Sequence, residues 1–282
     1  MTPRPRTTPR TTPRTTPRTT PRTTPRTTPL ATLLATLLTL GLLAGVLTGC
    51  GTSEEADGQT LTVFAASSLT GVFEDLEEQF EAEHPGVDVR LSFGGSADLV
   101  AQLREGARAD VFASADAESM DDLVAAGLTA GDPREIATNT LVIAVPPGNP
   151  AGIEDLTDLD ADDLALVLCA PEVPCGRAAA RVAAAADVDL SPLSEEQSVS
   201  DVLAKVRTGE ADAGLVYVTD VAAAGDSVRG IAFDESDAAV NHYEIAIVAG
   251  SEQADLAADW ADLVLGAGRR TLTDAGFGAP DE

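Results

Sequence analysis

Positive charge is what this chain has least of. Its 282 residues carry 18 Lys and Arg against 46 Asp and Glu. Seven of those bases fall in residues 1–29, which hold no acid, so the remainder has 11 bases against 46 acids and a net charge of −35. Nucleic acids and anionic membrane surfaces need basic patches on their partners, which excludes both. Histidine is nearly missing as well. His84 and His242, the only two, stand in a turn and at a strand start, far from the spacing of a zinc site. Neither adjoins a nucleophile in sequence, and a serine hydrolase needs nucleophile, base and orienting acid. Ser96 lies in "GGSAD", where Asp98 holds the place of the last glycine of G-x-S-x-G. The stretch "DLDADD" lacks the glycine and terminal glutamate of a calcium loop. An enzyme is therefore not expected.

What is present begins with a leader. Residues 1–29 repeat "PRTT", Leu30 to Leu47 read "LATLLATLLTLGLLAGVL", and Thr48-Gly49-Cys50 follow. A basic segment, an apolar segment and small residues form a secretory signal. Cysteine directly after the small residues resembles a bacterial lipobox, in which Cys50 is lipidated and becomes the first mature residue. The alternative is a single membrane-spanning helix, for which the run lies near the lower limit of ~17 residues. The expected organisation is a lipoprotein signal peptide over 1–49 and a lipid-anchored tether over 50–58. The protein would be exported and held at the cell membrane, facing away from the cytoplasm. The residues beyond are enough for one large or two smaller cores.

Along those residues short apolar runs alternate with helical patterns. Strands are expected at 60–66, Val87 to Phe93, "ADVFASA", "TLVIAVPPG", "LALVLCA", "AGLVYV", "GIAF" and "YEIAIVA". Helices are expected from Leu69 to Glu83, Ala97 to Glu105, from an Asp116 cap through Ala126, over "GRAAARVAAAA", from Val199 to Arg207, and over 252–275. Trp260 and Phe277 read as core. The alternation predicts an α/β fold with mainly parallel sheets, and the continuously apolar strands predict sheets buried on both faces.

In open α/β sheets, ligands bind beyond the carboxyl ends of strands, where helices begin. Small or hydroxyl residues stand at several such places: Ser67-Ser68, Gly95-Ser96, Cys175-Gly176 and Ser198-Val199-Ser200. A helix N-terminus offers free N–H groups and about half a positive charge. Several converging would bind an anion without lysine or arginine. Each serine taken alone is equally a helix cap.

Taken together, "FAASSLT", "FGGSADL", "ADVFASAD", "APEVPCGRAA" and "AGLVYVTDV" resemble the periplasmic molybdate-binding proteins of bacterial ABC transporters, over roughly residues 60–278. The resemblance implies a two-lobed periplasmic-binding-protein type II fold with a two-strand hinge. Lobe one would span 59–138 plus 238–282 and lobe two 139–237. Between them an oxyanion, molybdate or tungstate, would be held by Ser68, Ser96, Cys175, Val199 and Tyr217. Ser68 and Ser96 would give hydroxyl and backbone N–H, Cys175 and Val199 a backbone N–H, and Tyr217 its hydroxyl. Any metal would enter only as the centre of that oxyanion, contacted by the same five residues. Ser67 would shape the turn. The resemblance implies no cofactor and no catalytic residue, and as partners an ABC permease and, through it, its ATPase. The protein itself is expected to be a monomer. The competing reading is a receptor of the same fold for sulfate, thiosulfate or a small organic acid. An organic acid calls for a bidentate arginine, and Arg177 is the candidate.

Cys169 and Cys175 frame "CAPEVPC". An oxidising compartment favours a disulfide between them, against the alternative of two small buried thiols.

Overall fold

A computed structural model of the protein describes residues 59–280. The leader, Cys50 and the tether lie outside the described residues. The chain opens with β1 (Gln59–Ala66), α1 (Thr70–Glu83), β2 (Val87–Gly94), α2 (Ser96–Arg104), β3 (Val111–Ser114) and α3 (Ala117–Ala125). It continues with β4 (Arg134–Asn139), β5 (Leu141–Val145), β6 (Leu166–Cys169), α4 (Pro174–Ala186), β7 (Ser194–Glu196) and α5 (Val199–Thr208). It ends with β8 (Ala213–Tyr217), α6 (Val218–Ala224), β9 (Arg229–Ile231), β10 (Asn241–Ile247), α7 (Ala254–Leu265) and α8 (Gly268–Asp274).

These strands form two five-stranded sheets, in the orders β2-β1-β3-β10-β4 and β7-β6-β8-β5-β9. The α/β class holds. Within each sheet, three strands linked by helical crossovers run parallel, one strand (β10 or β5) runs against them, and the fifth (β4 or β9) pairs antiparallel with that reversed strand. The antiparallel pairs β4–β10 and β5–β9 flank the two places where the chain passes between sheets.

The first passage runs through Asn139-Thr140-Leu141, the second through a 3-10 turn at Asp234–Ala239. "TLVIAVPPG" forms a strand, β5, that ends in a turn, as expected; the chain is also extended just before it, over "REIATN", as β4 of the first sheet. Arg134, Glu135 and Thr138 mask the strand pattern there, because β4 lies at the edge of its sheet, next to β10 alone among the strands. The strand β7, "SEE", is hidden for the same reason. The expected C-terminal helix is two helices, broken at Gly266.

Each sheet is buried on both faces, as its apolar strands require. Beneath the first sheet Trp260 is fully buried, edge-on to Phe73 and Phe80 at centroid distances of 5.6 and 5.4 Å. Its other face packs Phe112, Met120 and Leu123. The second sheet has its own core around Leu141, Ile143, Val182 and Val202. Phe277 packs against Tyr243 at 5.3 Å, and Gly278 exchanges backbone hydrogen bonds with Thr138, tying the C-terminus to β4.

Candidate ligand site

The carboxyl ends of strands from both sheets meet across a narrow cleft. A cavity of only about 10 Å³ lies there, far below the ~300–1,000 Å³ of organic-ligand sites. The first sheet contributes Ser67, Ser68, Gly95, Ser96 and Ala115, and the second Cys175, Gln197, Ser198, Val199 and Tyr217. All five residues singled out in the sequence line this one pocket.

Local structure explains what each offers. Ser96 is the first residue of α2 and is 1% exposed. Its Oγ accepts a hydrogen bond from the Ala115 N–H at 3.0 Å, which leaves its own proton to point elsewhere. Ser68 sits in a 3-10 turn between β1 and α1, its Oγ 2.8 Å from the Tyr243 hydroxyl. Burial, then the nearby Asp220 charge, raise the Tyr243 phenol far above its ordinary value, so it stays protonated. When Tyr243 donates, the Ser68 proton is free for a ligand. Ser67 shapes the turn through its carbonyl, which accepts from the Thr70 hydroxyl at 2.7 Å.

The second sheet presents two helix starts. Cys175 is the second residue of α4 and Val199 the first of α5. N–H groups in a helix's first turn have no intrahelical acceptor. Ser198 is spent as the α5 cap, accepting from the Asp201 N–H at 3.2 Å. A disulfide joins Cys169 to Cys175 and staples the end of β6 to the start of α4. Gly176 is needed beside it, because a Cβ there would lie 1.9 Å from the Ala170 carbonyl oxygen. Tyr217 is 1% exposed, and its hydroxyl has no hydrogen-bond partner. Burial holds its phenol well above the ordinary value.

Two neighbours of the site escaped the sequence reading. Tyr243 lies in a strand of unremarkable pattern, 175 residues from the Ser68 it touches. Asp220, in α6, accepts from the Tyr217 N–H at 2.9 Å, and burial pushes its carboxyl up to about 7. A helix this short gives little periodic signal, and nothing local marks its aspartate as buried.

Arg177 does not reach the pocket as a free cation. Its Nε and Nη2 grip Asp116 Oδ2 at 2.8 and 2.6 Å, Nη2 also donates to Ser119 Oγ at 2.8 Å, and Nη1 donates to the Glu172 carbonyl. Lys205 is engaged with Glu196 and Ser194. Burial would raise the Glu196 carboxyl, but hydrogen bonds from Lys205 and Ser194 outweigh it and hold the group low. His84 stacks on Phe80 and His242 pairs with Glu135 at 3.0 Å, both away from the pocket. Among the described residues, no His, Cys, Asp and Glu group could hold a metal ion. No helix among them is long and apolar enough to cross a membrane.

Comparison with known proteins places this arrangement. The family described as bacterial extracellular solute-binding protein matches residues 61–278. The chain is 47% identical over 223 residues to the molybdate-binding protein ModA of Mycobacterium tuberculosis (strain ATCC 25618 / H37Rv), covering 79% of this chain and 85% of that one. It is 33% identical over 217 residues to ModA of Escherichia coli (strain K12), covering 72% and 82%. The periplasmic molybdate-binding protein of Azotobacter vinelandii superposes with a TM-score of 0.68 at 23% identity, covering 78% of this chain and 100% of that one. The sulfate-binding protein SubI of Mycobacterium tuberculosis H37Rv gives 0.68 at 20% identity, covering 79% and 88%. At these identities the two structures speak to fold alone.

Proposed function

Because this chain belongs to the bacterial extracellular solute-binding proteins, we propose that it captures molybdate, and tungstate with it, between its lobes and delivers the anion to an ABC permease. One observation carries the reading: neutral donors from two sheets converge on one small pocket that no lysine or arginine lines, and Arg177, two residues after Cys175, is engaged with Asp116. The 47% identical relatives named as molybdate-binding favour this anion over others that donors alone would accept. We place the protein outside the cytoplasm, with Cys50 as its lipid anchor.

The energetics fit. A hydrogen bond to a charged group contributes about 1.5–3 kcal/mol, and a micromolar complex needs about −8 kcal/mol net. Hydroxyls of Ser68, Ser96 and Tyr217 with N–H groups of Cys175 and Val199 are enough to offset a good part of the desolvation cost. Backbone N–H groups that only donate, with hydroxyls turned to donate, suit a fully deprotonated dianion, since the proton of a protonated anion would require one of the hydroxyls to turn and accept. Molybdenum–oxygen and tungsten–oxygen bonds are longer than sulfur–oxygen bonds, so a cavity fitted to the larger tetrahedron would hold sulfate loosely. The organic-acid alternative loses its support, because Arg177 is already spent on Asp116.

A thermal-shift titration of the purified protein with molybdate, tungstate, sulfate and phosphate tests the assignment. Ligand at 100 times its Kd stabilises by about 2.7 kcal/mol, which for a domain of this size is roughly 5–10 °C. Shifts with molybdate and tungstate alone are expected. A shift with sulfate of equal size, or with none of the four, would remove the ligand assignment and leave the fold.

A further inference from the structure

The contact between Arg177 and Asp116 joins the two lobes. Arg177 lies in the first turn of α4, beside the second sheet, two residues after Cys175. Asp116 is the N-cap of α3, on the loop after β3 of the first sheet. Both side chains are largely buried, at 15% and 8% exposure. Asp116 divides its oxygens. Oδ1 accepts from the Ser119 N–H at 3.0 Å and caps α3, while Oδ2 takes both guanidinium contacts. On its own side Arg177 is pinned by the Glu172 carbonyl, and across the cleft Glu118 adds a contact at 3.3 Å. The guanidinium is therefore held from behind and aimed at the opposite lobe.

The position matters as much as the pairing. Ala115, next to Asp116, orients the Ser96 hydroxyl. Cys175 offers its N–H from the same turn as Arg177. The ion pair thus ties the loop that sets one donor to the helix start that supplies another. It reaches neither Ser68 nor Tyr217 through any hydrogen bond, and both its charges are satisfied within the protein. A hinge opening the cleft would separate the pair and return both groups to water.

We infer that Arg177 is a closing clasp: its bond to Asp116 and Ser119 across the cleft holds the α4 start over the pocket and sets how long a bound anion stays, not which anion enters. It is a positioning residue. The dwell-time part rests on the oxyanion reading above; the closure part does not.

Stopped-flow kinetics with molybdate and tungstate, together with small-angle scattering of the ligand-free protein, test this on wild type, Arg177→Met, Asp116→Asn and the double variant. Asp116→Asn keeps an oxygen to cap α3. Truncating one member of a buried ion pair acts mainly on dissociation. Arg177→Met is expected to speed dissociation of both anions about 10- to 100-fold, with association and the molybdate-to-tungstate ratio unchanged. The double variant should dissociate no faster than Arg177→Met alone. An unchanged dissociation rate overturns the clasp, and so does an altered anion ratio, which would make Arg177 a ligand contact. Should wild type bind neither anion, the oxyanion reading fails and scattering decides: a larger radius of gyration in Arg177→Met than in wild type supports the clasp, and equal radii overturn it.

Discussion

Tyr217 and Asp220 sit side by side and make opposite demands on the protein. The Tyr217 hydroxyl is buried without a partner, and leaving such a group unmet costs about 1–3 kcal/mol. Tyr217→Phe should therefore leave the ligand-free protein as stable as wild type or more so. On the proposed role of Tyr217 the same change would remove a bond to the anion and should weaken molybdate binding about 10- to 100-fold, by the strength of a charge-assisted bond. Paired thermal melts and titration calorimetry read the two effects separately; a loss of ligand-free stability would show that the hydroxyl has another duty. Asp220 gives a prediction in pH. Burial pushes its carboxyl up to about 7 in the folded chain, from an ordinary value of 3.8. Between those values the folded state binds a proton that the unfolded state has lost, so this group's contribution to stability falls as pH rises from about 4 to 7 and is flat beyond. Asp220→Asn keeps an acceptor for the Tyr217 N–H and stays neutral. Its stability advantage over wild type should grow from pH 5 to pH 8 in thermal melts, and an advantage independent of pH would contradict the assignment.

Among the elements, α2 and the loop before α5 define the seam between the lobes. Gly95 caps α2 with φ −65° and ψ 136°, a conformation any residue adopts. Its need for glycine comes from across the cleft, where a Cβ would lie 2.0 Å from the Gln197 carbonyl oxygen. Gly95→Ala should leave the melting temperature of the ligand-free protein within about 2 °C of wild type while lowering molybdate affinity at least 100-fold, because closure is blocked and folding is not. Retained affinity would mean that the pocket closes some other way. What the sequence revealed at this scale follows the same division between local and distant causes. Strands β1 and β8 declare themselves by apolar runs, β2 by alternating apolar and polar residues, and helices α1, α2 and α5 by helical spacing, so the loops bearing Ser68, Ser96, Val199 and Tyr217 could be placed from them. Edge strands β4 and β7 carry polar side chains on their open sides and lack that signal. The bond from Tyr243 to Ser68 and the engagement of Arg177 by Asp116 depend on which loops the fold brings face to face, and no local pattern encodes that.

For the whole molecule the tension is between surface and site. Beyond the leader the chain carries a net charge of −35, yet the proposed ligand is a dianion. The pocket resolves this at short range. Helix starts at α2, α4 and α5 supply partial positive charge within a turn's distance, no acid lines the pocket itself, and many acids stand on the exposed face of α1 and in the turn after Asp234. At long range nothing offsets the repulsion, so an approaching dianion meets a barrier that mobile ions screen. The screening length shortens from about 30 Å at 0.01 M to about 8 Å at 0.15 M ionic strength. Molybdate association should accordingly quicken several-fold between those two salt concentrations. Proteins that steer ligands by charge of opposite sign behave in the reverse way, slowing as salt is added. Dissociation starts from a closed, desolvated pocket and should change much less, so affinity should rise with salt alongside the association rate. Stopped-flow association measured across that range decides the matter: a rate that falls with salt would show that local positive potential at the cleft mouth outweighs the charge of the rest of the chain.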